Sequence, residues 1–367
     1  MDSFRRDITI NALYYDMSVG DLVSWQGGLY DLREGLIDTI ADPDVELSDD
    51  PNVAIRALRF KARYGYAFSE RLDAALRAKG EDYISQIPPD SCAFHLPKLF
   101  NGGYAATSYG ILKDYGIYDH LFPAAAGLGQ DEAYQGYLIR ALEKLDQIYA
   151  GDDRISDQLI FATLLWPVLD RGEGYEQSLT DALDRENMVC TLSEDVRKAL
   201  ENLLTLERDF ATESARTEAM HLAERGEYAD ALRLLEMRVA AGDAEEEALQ
   251  FWKDFEGLSP SREDDDDVSE DTPEARESGA FFDNPALNAL LEENSSAIEQ
   301  KGWAELRIPQ SIHGISDDAL SPNALEVGHK LIEAGHDAYI IGGAMRDIIM
   351  GVPCNDFDIV TSATPDE

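Results

Sequence analysis

The 367-residue sequence is poor in cysteine, lysine and long apolar runs, and each shortage excludes something. Only three cysteines occur, Cys92, Cys190 and Cys354, widely spaced and without a Cys-x-x-Cys pair. They predict reduced thiols in a cytoplasmic protein, not a disulfide frame or a zinc site. The six histidines show no metal-ligand spacing. No segment approaches the roughly 20 continuous apolar residues of a membrane span, and no charged-then-apolar leader opens the chain. Neither membrane insertion nor export is expected.

Positive charge is also scarce. Lys plus Arg number 31 against 73 Asp plus Glu, a net charge of −42, and only 9 of the 31 cations are lysine. A protein that grips a nucleic-acid backbone is expected to present cations, because phosphate contacts supply most of its affinity. Two readings reconcile such charge with an anionic partner. The acidic side chains line solvated faces while the arginines cluster locally, or the whole surface is adapted to high salt, where negative charge maintains solubility. The shortage of lysine leans toward the second.

The pattern of apolar residues changes along the chain. Residues 7–40 read as short strands, with Ile8, Ile10, Ala12 and Leu13 leading into Tyr14-Tyr15, then Leu22-Val23 and Leu36-Ile37. From about Asp50 the spacing becomes helical, through Ala54, Leu58, Ala62, Leu72 and Leu76. It continues over Leu138–Ile148, Ile155–Leu169, Leu192–Leu206 and Ala215–Ala240. The run Ser259–Glu277 is acidic and almost free of apolar residues, which predicts a disordered linker. Asn284–Ile298 is amphipathic, and Ser321-Pro-Asn323 opens a helix that ends at Gly335. Tyr339-Ile-Ile341 then reads as a buried strand running straight into Gly342-Gly343.

Strand, glycine pair, helix is an arrangement that receives phosphate, because glycine lets an anion approach the backbone at a helix N-terminus. Thirteen residues on, Asp356 and Asp358 alternate, so on a strand both carboxylates project from one face. Two such carboxylates hold a pair of divalent ions about 3.5–4 Å apart, the clamp of in-line phosphoryl displacement. Mg²⁺ suits it, being bound through a few carboxylates plus substrate phosphates. Near the other end, residues 5–15 read Arg-Arg-Asp-Ile-Thr-Ile-Asn-Ala-Leu-Tyr-Tyr. Paired arginines supply charge-assisted donors to phosphate, and Asp and Asn supply partners for hydroxyls.

Residues 342–364, with Arg346-Asp347 between the glycines and the Asp-x-Asp, resemble the stretch that opens class II nucleotidyltransferases, the bacterial poly(A) polymerases and CCA-adding enzymes. The lead-in Ile308-Pro309, His313 and Ser316 is more like the poly(A) polymerases. The resemblance implies that Asp356 and Asp358 are the catalytic metal ligands, that Gly342 and Gly343 cradle the triphosphate, and that Arg346, with Asp347, helps orient it. Asn355 departs from the basic residue common there. Residues 5–15, followed by Gly27-Gly28-Leu-Tyr-Asp-Leu-Arg, resemble the family segment that contacts ribose and triphosphate, which makes Arg6, Asp7 and Asn11 nucleotide-binding candidates. Asp49-Asp50-Pro51 through Arg59-Phe60 resembles the helix that reads the base, giving Asp50, Arg56 and Arg59. Val53 stands where that pattern has arginine, so weak discrimination between ATP and CTP is expected. Further on, Ser91, Phe94 and His95 depart from a similar family helix, and Pro97 is expected to disturb it.

The expected fold is α+β, a small mixed-sheet nucleotidyltransferase head assembled from both chain ends, joined to a long all-helical neck and body. Residues 1–48 form the second part of the head, 49–125 the base-reading neck, 126–257 the RNA-binding body, 258–283 the acidic linker and 284–367 the first part of the head. The family order is thus circularly permuted, and several dozen residues that the family sets between Asp-x-Asp and Arg-Arg-Asp have no counterpart. The implied activity is template-independent addition of AMP from ATP to the 3′ end of an mRNA or tRNA, with two Mg²⁺ ions. CCA addition to tRNA is the alternative within the family. An inactive nucleotide- or RNA-binding relative is the alternative outside enzymology.

Overall fold

The computed structural model describes residues 6–151, 155–169, 174–255, 280–301, 305–354 and 356–364. Most of the expected linker, up to residue 279, lies outside the described residues, as does Asn355. The chain divides into two compact units. One gathers Met1–Glu46, Tyr66–Asp73 and Asp265–Glu367, the other Leu47–Gly65 and Ala74–Asp264.

The first unit is built on a sheet. Its strands are β1 (Leu13–Asp16), β2 (Asp21–Ser24), β3 (Leu36–Ile37), β4 (Ala67–Phe68), β5 (Leu306–Ile308), β6 (Ala338–Ile341) and β7 (Asp358–Thr361). Five of them form one sheet in the order β5-β2-β1-β6-β7. Every neighbouring pair in it is antiparallel, where a mixed sheet was expected. The parallel pair, β3 with β4, stands apart as a two-stranded ribbon. The N-terminal pair β2-β1 lies between C-terminal strands, β5 on one side and β6-β7 on the other, and Tyr14 faces Ile341 across the join. One face buries Ala12, Tyr14, Val23 and Ile341, with the Tyr14 and Trp25 rings 4.9 Å apart, edge to face.

The hairpin between β1 and β2 turns on Asp16, whose carboxylate accepts hydrogen bonds from the Ser18 amide and hydroxyl. Arg307 of β5 closes on the same carboxylate at 3.0 Å. His313 anchors the segment after β5. Its Nδ1 accepts from the Ile315 amide, so Nε2 carries the proton and donates to the Gly20 carbonyl at 2.8 Å.

One local expectation changes. Ile8–Leu13 is not a single strand. Thr9–Asn11 makes a 3₁₀ turn and β1 begins only at Leu13, because the Thr9 amide is taken by the Asp38 carbonyl while the Ala12 amide closes the turn on Thr9. Ile8 and Ile10 are both fully buried, which mimics strand spacing in the sequence. In the helix Pro322–Glu333, capped by the Ser321 hydroxyl, the fully packed positions are Ala324 and Gly328, while Val327 is half exposed.

The second unit is helical throughout. The 215–240 run is three helices, Glu213–Thr217, Ala219–Ala223 and Tyr228–Ala241, the last two parted around Gly226. Pro97 divides the helical stretch, as expected. It opens the short helix Pro97–Phe100 directly after Pro89–His95, at a first-turn position that needs no amide donor. Trp252 is buried, stacked on Phe210 at 4.2 Å, and donates from its indole to the Phe210 carbonyl. Arg238 is held between Glu207 and Asp243 with its guanidinium over the Trp166 ring.

Glu186 is fully buried. One carboxyl oxygen accepts from the Ala124 amide and the other has no hydrogen-bond partner, so burial pushes its pKa up to about 8. The folded protein therefore binds a proton that the unfolded chain gives up near the ordinary carboxyl value. The associated stability is complete below that value and is lost as pH rises toward 8. Urea unfolding should show stability falling by on the order of 2 kcal/mol between pH 6 and 9. Glu186→Gln should remove that part of the slope. An unchanged slope in the variant would contradict the assignment.

Candidate nucleotide-binding site

β6 delivers the chain into Gly342, whose backbone (φ +72°, ψ −133°) is open to glycine and strained for other residues. The Gly342 amide donates to the Leu13 carbonyl, and the helix Gly343–Met350 begins at once. A Cβ placed on Gly342 would lie 3.7 Å from an Arg6 guanidinium nitrogen, 3.9 Å from Asp358 Oδ2 and 4.0 Å from the Asn11 carbonyl. Thus residues from the two chain ends surround one glycine. One of the predicted carboxylates, the glycine pair and the Arg6–Asn11 segment meet there.

Arg346 is 5 % exposed, and Asp347 is buried beside it. Its Nη1 donates to the Asn11 side-chain oxygen and its Nε donates to Asp347 Oδ1 at 2.9 Å. A buried guanidinium is tolerated only when its donors are met and its charge is opposed, and both conditions hold here. Arg346 thereby cross-ties the Gly343–Met350 helix to the turn carrying Asn11. Asp7 turns its carboxylate onto the Ile8 amide, and its carbonyl accepts from Ile40.

Asp358 is the first residue of β7, paired with Ile341, and is exposed. Asp356 is exposed too, but it lies two residues ahead of the strand, so the expected alternation of both carboxylates along one strand is not observed. Its carbonyl accepts a hydrogen bond from the Cys354 thiol. Among the described residues no group of three or more His, Cys, Asp or Glu side chains is gathered to hold a metal. Two exposed carboxylates still suit Mg²⁺, whose other ligands are waters and substrate phosphates.

Asp50, Arg56 and Arg59 belong to the helical unit. Arg56 Nη2 pairs with Asp50 Oδ2 at 2.8 Å, and Asp50 Oδ1 accepts from both the amide and the side chain of Asn52. The Ser91 hydroxyl continues the chain of bonds to Asn52. Arg59 lies over the Phe60 ring, 5.3 Å from its centroid. Val53 is fully buried.

Sequence reasoning missed Thr9 and Asp31. The Thr9 hydroxyl donates to the Asp31 carboxylate, which burial pushes up to about 7 in spite of that bond. Asp31 lies on the helix Gly28–Glu34, and a Cβ on Gly28 would sit 2.1 Å from the Thr9 carbonyl. Contact that close ties this helix to the turn bearing Asn11. The glycine and acid of Gly27-Gly28-Leu-Tyr-Asp were visible as a motif, but only the fold shows what they press against.

A model of the poly(A) polymerase head domain matches residues 1–38 and 338–367, and one of the arginine-rich C-terminus of polymerase A matches 171–280. Over these segments the chain is similar to the poly(A) polymerase and CCA-adding nucleotidyltransferase family. Poly(A) polymerase I of Salmonella typhi is 24 % identical over 277 residues, 71 % of this chain and 59 % of that one. The CCA-adding enzyme of Bacillus licheniformis is 32 % identical over 120 residues, 33 % of this chain and 30 % of the relative. The chain spans about 59 % of the length of the poly(A) polymerases it matches. Among solved structures, the Bacillus stearothermophilus CCA-adding enzyme in complex with CTP has a TM-score of 0.50 and 18 % identity, covering 70 % of this chain and 58 % of that one. That likeness bears on the α+β fold alone.

The sheet-bearing unit thus rests on a close backbone approach at Gly28. Gly28→Ala should cost about 3 kcal/mol, because the opposing atom is a carbonyl that cannot rotate away. Thermal denaturation with the matched Gly110→Ala, where open space surrounds the added methyl, provides the check. Equal melting temperatures for the two variants would contradict the packing described.

Proposed function

We propose that this protein is a template-independent nucleotidyltransferase that adds AMP from ATP to RNA 3′ ends. The observation that carries the reading is the convergence of Arg6, Asn11, Arg346 and Asp358 on Gly342, from both ends of the chain, in a family of nucleotidyltransferases. In this reading the order of segments is a circular permutation of the family's, with the chain ends joined through the β1–β6 pairing.

The 3′-hydroxyl oxygen of the RNA bonds to the α-phosphorus of ATP. The bond from that phosphorus to the bridging oxygen breaks, pyrophosphate leaves, and the hydroxyl proton passes to water. Gly342 and Gly343 leave the backbone open to the triphosphate, where the first turn of the Gly343–Met350 helix favours an anion. Arg6 supplies a cation beside that turn. Arg346 holds Asn11 in place from the buried side. Asp356 and Asp358 would hold Mg²⁺, which when bound stabilises the charge developing on the transferred phosphate.

Asp50 and Arg56 are the proposed base readers, pre-set by their own ion pair. CCA addition to tRNA remains the rival within the family, and choice of nucleotide separates the two. Purified protein should incorporate AMP into a short RNA, and Asp358→Ala should abolish incorporation while leaving the melting temperature within a few degrees. Preferential use of CTP would select the CCA-adding reading instead. Nucleotide binding without incorporation would select the inactive relative, and no binding of ATP or CTP at all would overturn the assignment.

Val53 bears on specificity in an unexpected way. Because the side chain is fully buried, Val53→Arg places a guanidinium where water cannot reach it. Its main effect should be a loss of stability of roughly 3 kcal/mol, not sharper base choice. Chemical denaturation with parallel ATP and CTP incorporation assays tests this. A stable variant with improved discrimination would show that position 53 reaches the base after all.

A further inference from the structure

The arginines of the helical unit are largely taken up by carboxylates. Arg77, Arg197, Arg208, Arg233 and Arg238 each pair with at least one Asp or Glu. Lys98 differs, since it makes no ion pair among the described residues. Its ammonium instead lies 3.3 Å from the centroid of the Phe94 ring. Phe94 is 62 % exposed, a large apolar surface left to solvent on a protein whose net charge is −42. An exposed aromatic face beside a cation offers both a stacking surface and a charge to an anionic ligand.

These two side chains stand at a cavity of about 420 Å³, within the size range of small-ligand sites. Phe161, Asp157, Thr191 and Ser193 complete the part of its lining used here. Its walls are fixed to one another. The Thr191 amide donates to the Pro89 carbonyl at 3.1 Å, joining that wall to the helix Pro89–His95. Arg56, Lys98 and Arg59 all act on the neighbouring His95, whose pKa is pushed down to about 4 by burial and then by those cations. His95 is therefore neutral at physiological pH, and Lys98 is the cation that lines the cavity.

We propose that this cavity is a subsite for one unpaired nucleotide of the RNA chain, its base stacked on Phe94 and its phosphate held by Lys98. The inference rests on the RNA-extending activity proposed above and adds a place where the strand is gripped. Base stacking needs an exposed aromatic ring, and Phe94 is largely open to solvent. The Asp157 carboxylate accepts from an exocyclic amine, which favours adenine or cytosine over uracil. It also disfavours a second phosphate, so one nucleotide fits and a run of backbone does not.

Fluorescence anisotropy with a labelled single-stranded oligoadenylate tests the subsite without requiring catalysis. Phe94→Ala should weaken binding about tenfold, a loss within the range for one stacked base. Phe94→Tyr should bind like the parent. Lys98→Met should weaken binding and lower the salt dependence by about one released ion. An oligouridylate should bind more weakly than the oligoadenylate. Phe94 is exposed, so its alanine variant should keep the parent's circular dichroism and melting temperature. If Phe94→Ala and Lys98→Met both bind within twofold of a parent that itself binds RNA, the subsite is wrong and the enzymatic reading survives. A parent that binds no RNA overturns both.

Discussion

Everything in the head depends on the antiparallel pairing of β1 with β6. Tyr14 against Ile341 and Tyr15 against Ile340 place the N-terminal segment beside the strand that ends in the glycine pair. Only then does the Asn11 side chain reach Arg346, and only then does Arg6 stand over Gly342. Arg346 and Asp347 are both buried, so neither tolerates loss of the other without leaving an uncompensated charge. The pairing is long-range in sequence and slow to find, but once made it is reinforced on two sides. The Thr9–Asp31 hydrogen bond braces the same turn from the Gly28–Glu34 helix.

The acidic composition takes on a different meaning in the structure. Many of the arginines are tied to carboxylates of the protein itself, from half-exposed positions to the buried core. Arg71 binds Asp38 at the edge of the head, Arg307 binds Asp16 and Glu305 across β5, and Arg238 bridges Glu207 and Asp243 in the helical core. The planar guanidinium suits such bidentate, partly buried roles better than an ammonium does. Arginine scattered along the sequence therefore gave a poor guide to where an anionic partner docks.

Much of the head was legible because its signals are local. A buried strand running into Gly342-Gly343 and then a helix is written in consecutive residues, and the fold follows that reading. The convergence of Arg6 and Asn11 on the same place was expected from the resemblance and depends on the permuted ends pairing. What the sequence hid is what local spacing cannot carry. Ile8 and Ile10 alternate like a strand yet lie on a turn, since tertiary burial enforces the same apolar spacing in both. Asp356 and Asp358 alternate on paper, but the ladder begins only at Asp358. Arg346 was expected to help orient the triphosphate, and only the fold shows that its guanidinium is bonded to Asn11 and Asp347. Val53 read as a lost base contact, and nothing in a helical pattern distinguishes that from a buried core position.

The central claim is that two distant chain segments make one nucleotide site through the Arg346–Asn11 contact. A double-mutant cycle on ATP affinity tests it most directly, using Arg346→Met, Asn11→Ala and the combined variant, each checked for intact folding. Strong coupling is predicted, with the double variant binding ATP no worse than Arg346→Met alone, because the contact is already gone. Purely additive losses, or full ATP affinity in both single variants, would contradict the account.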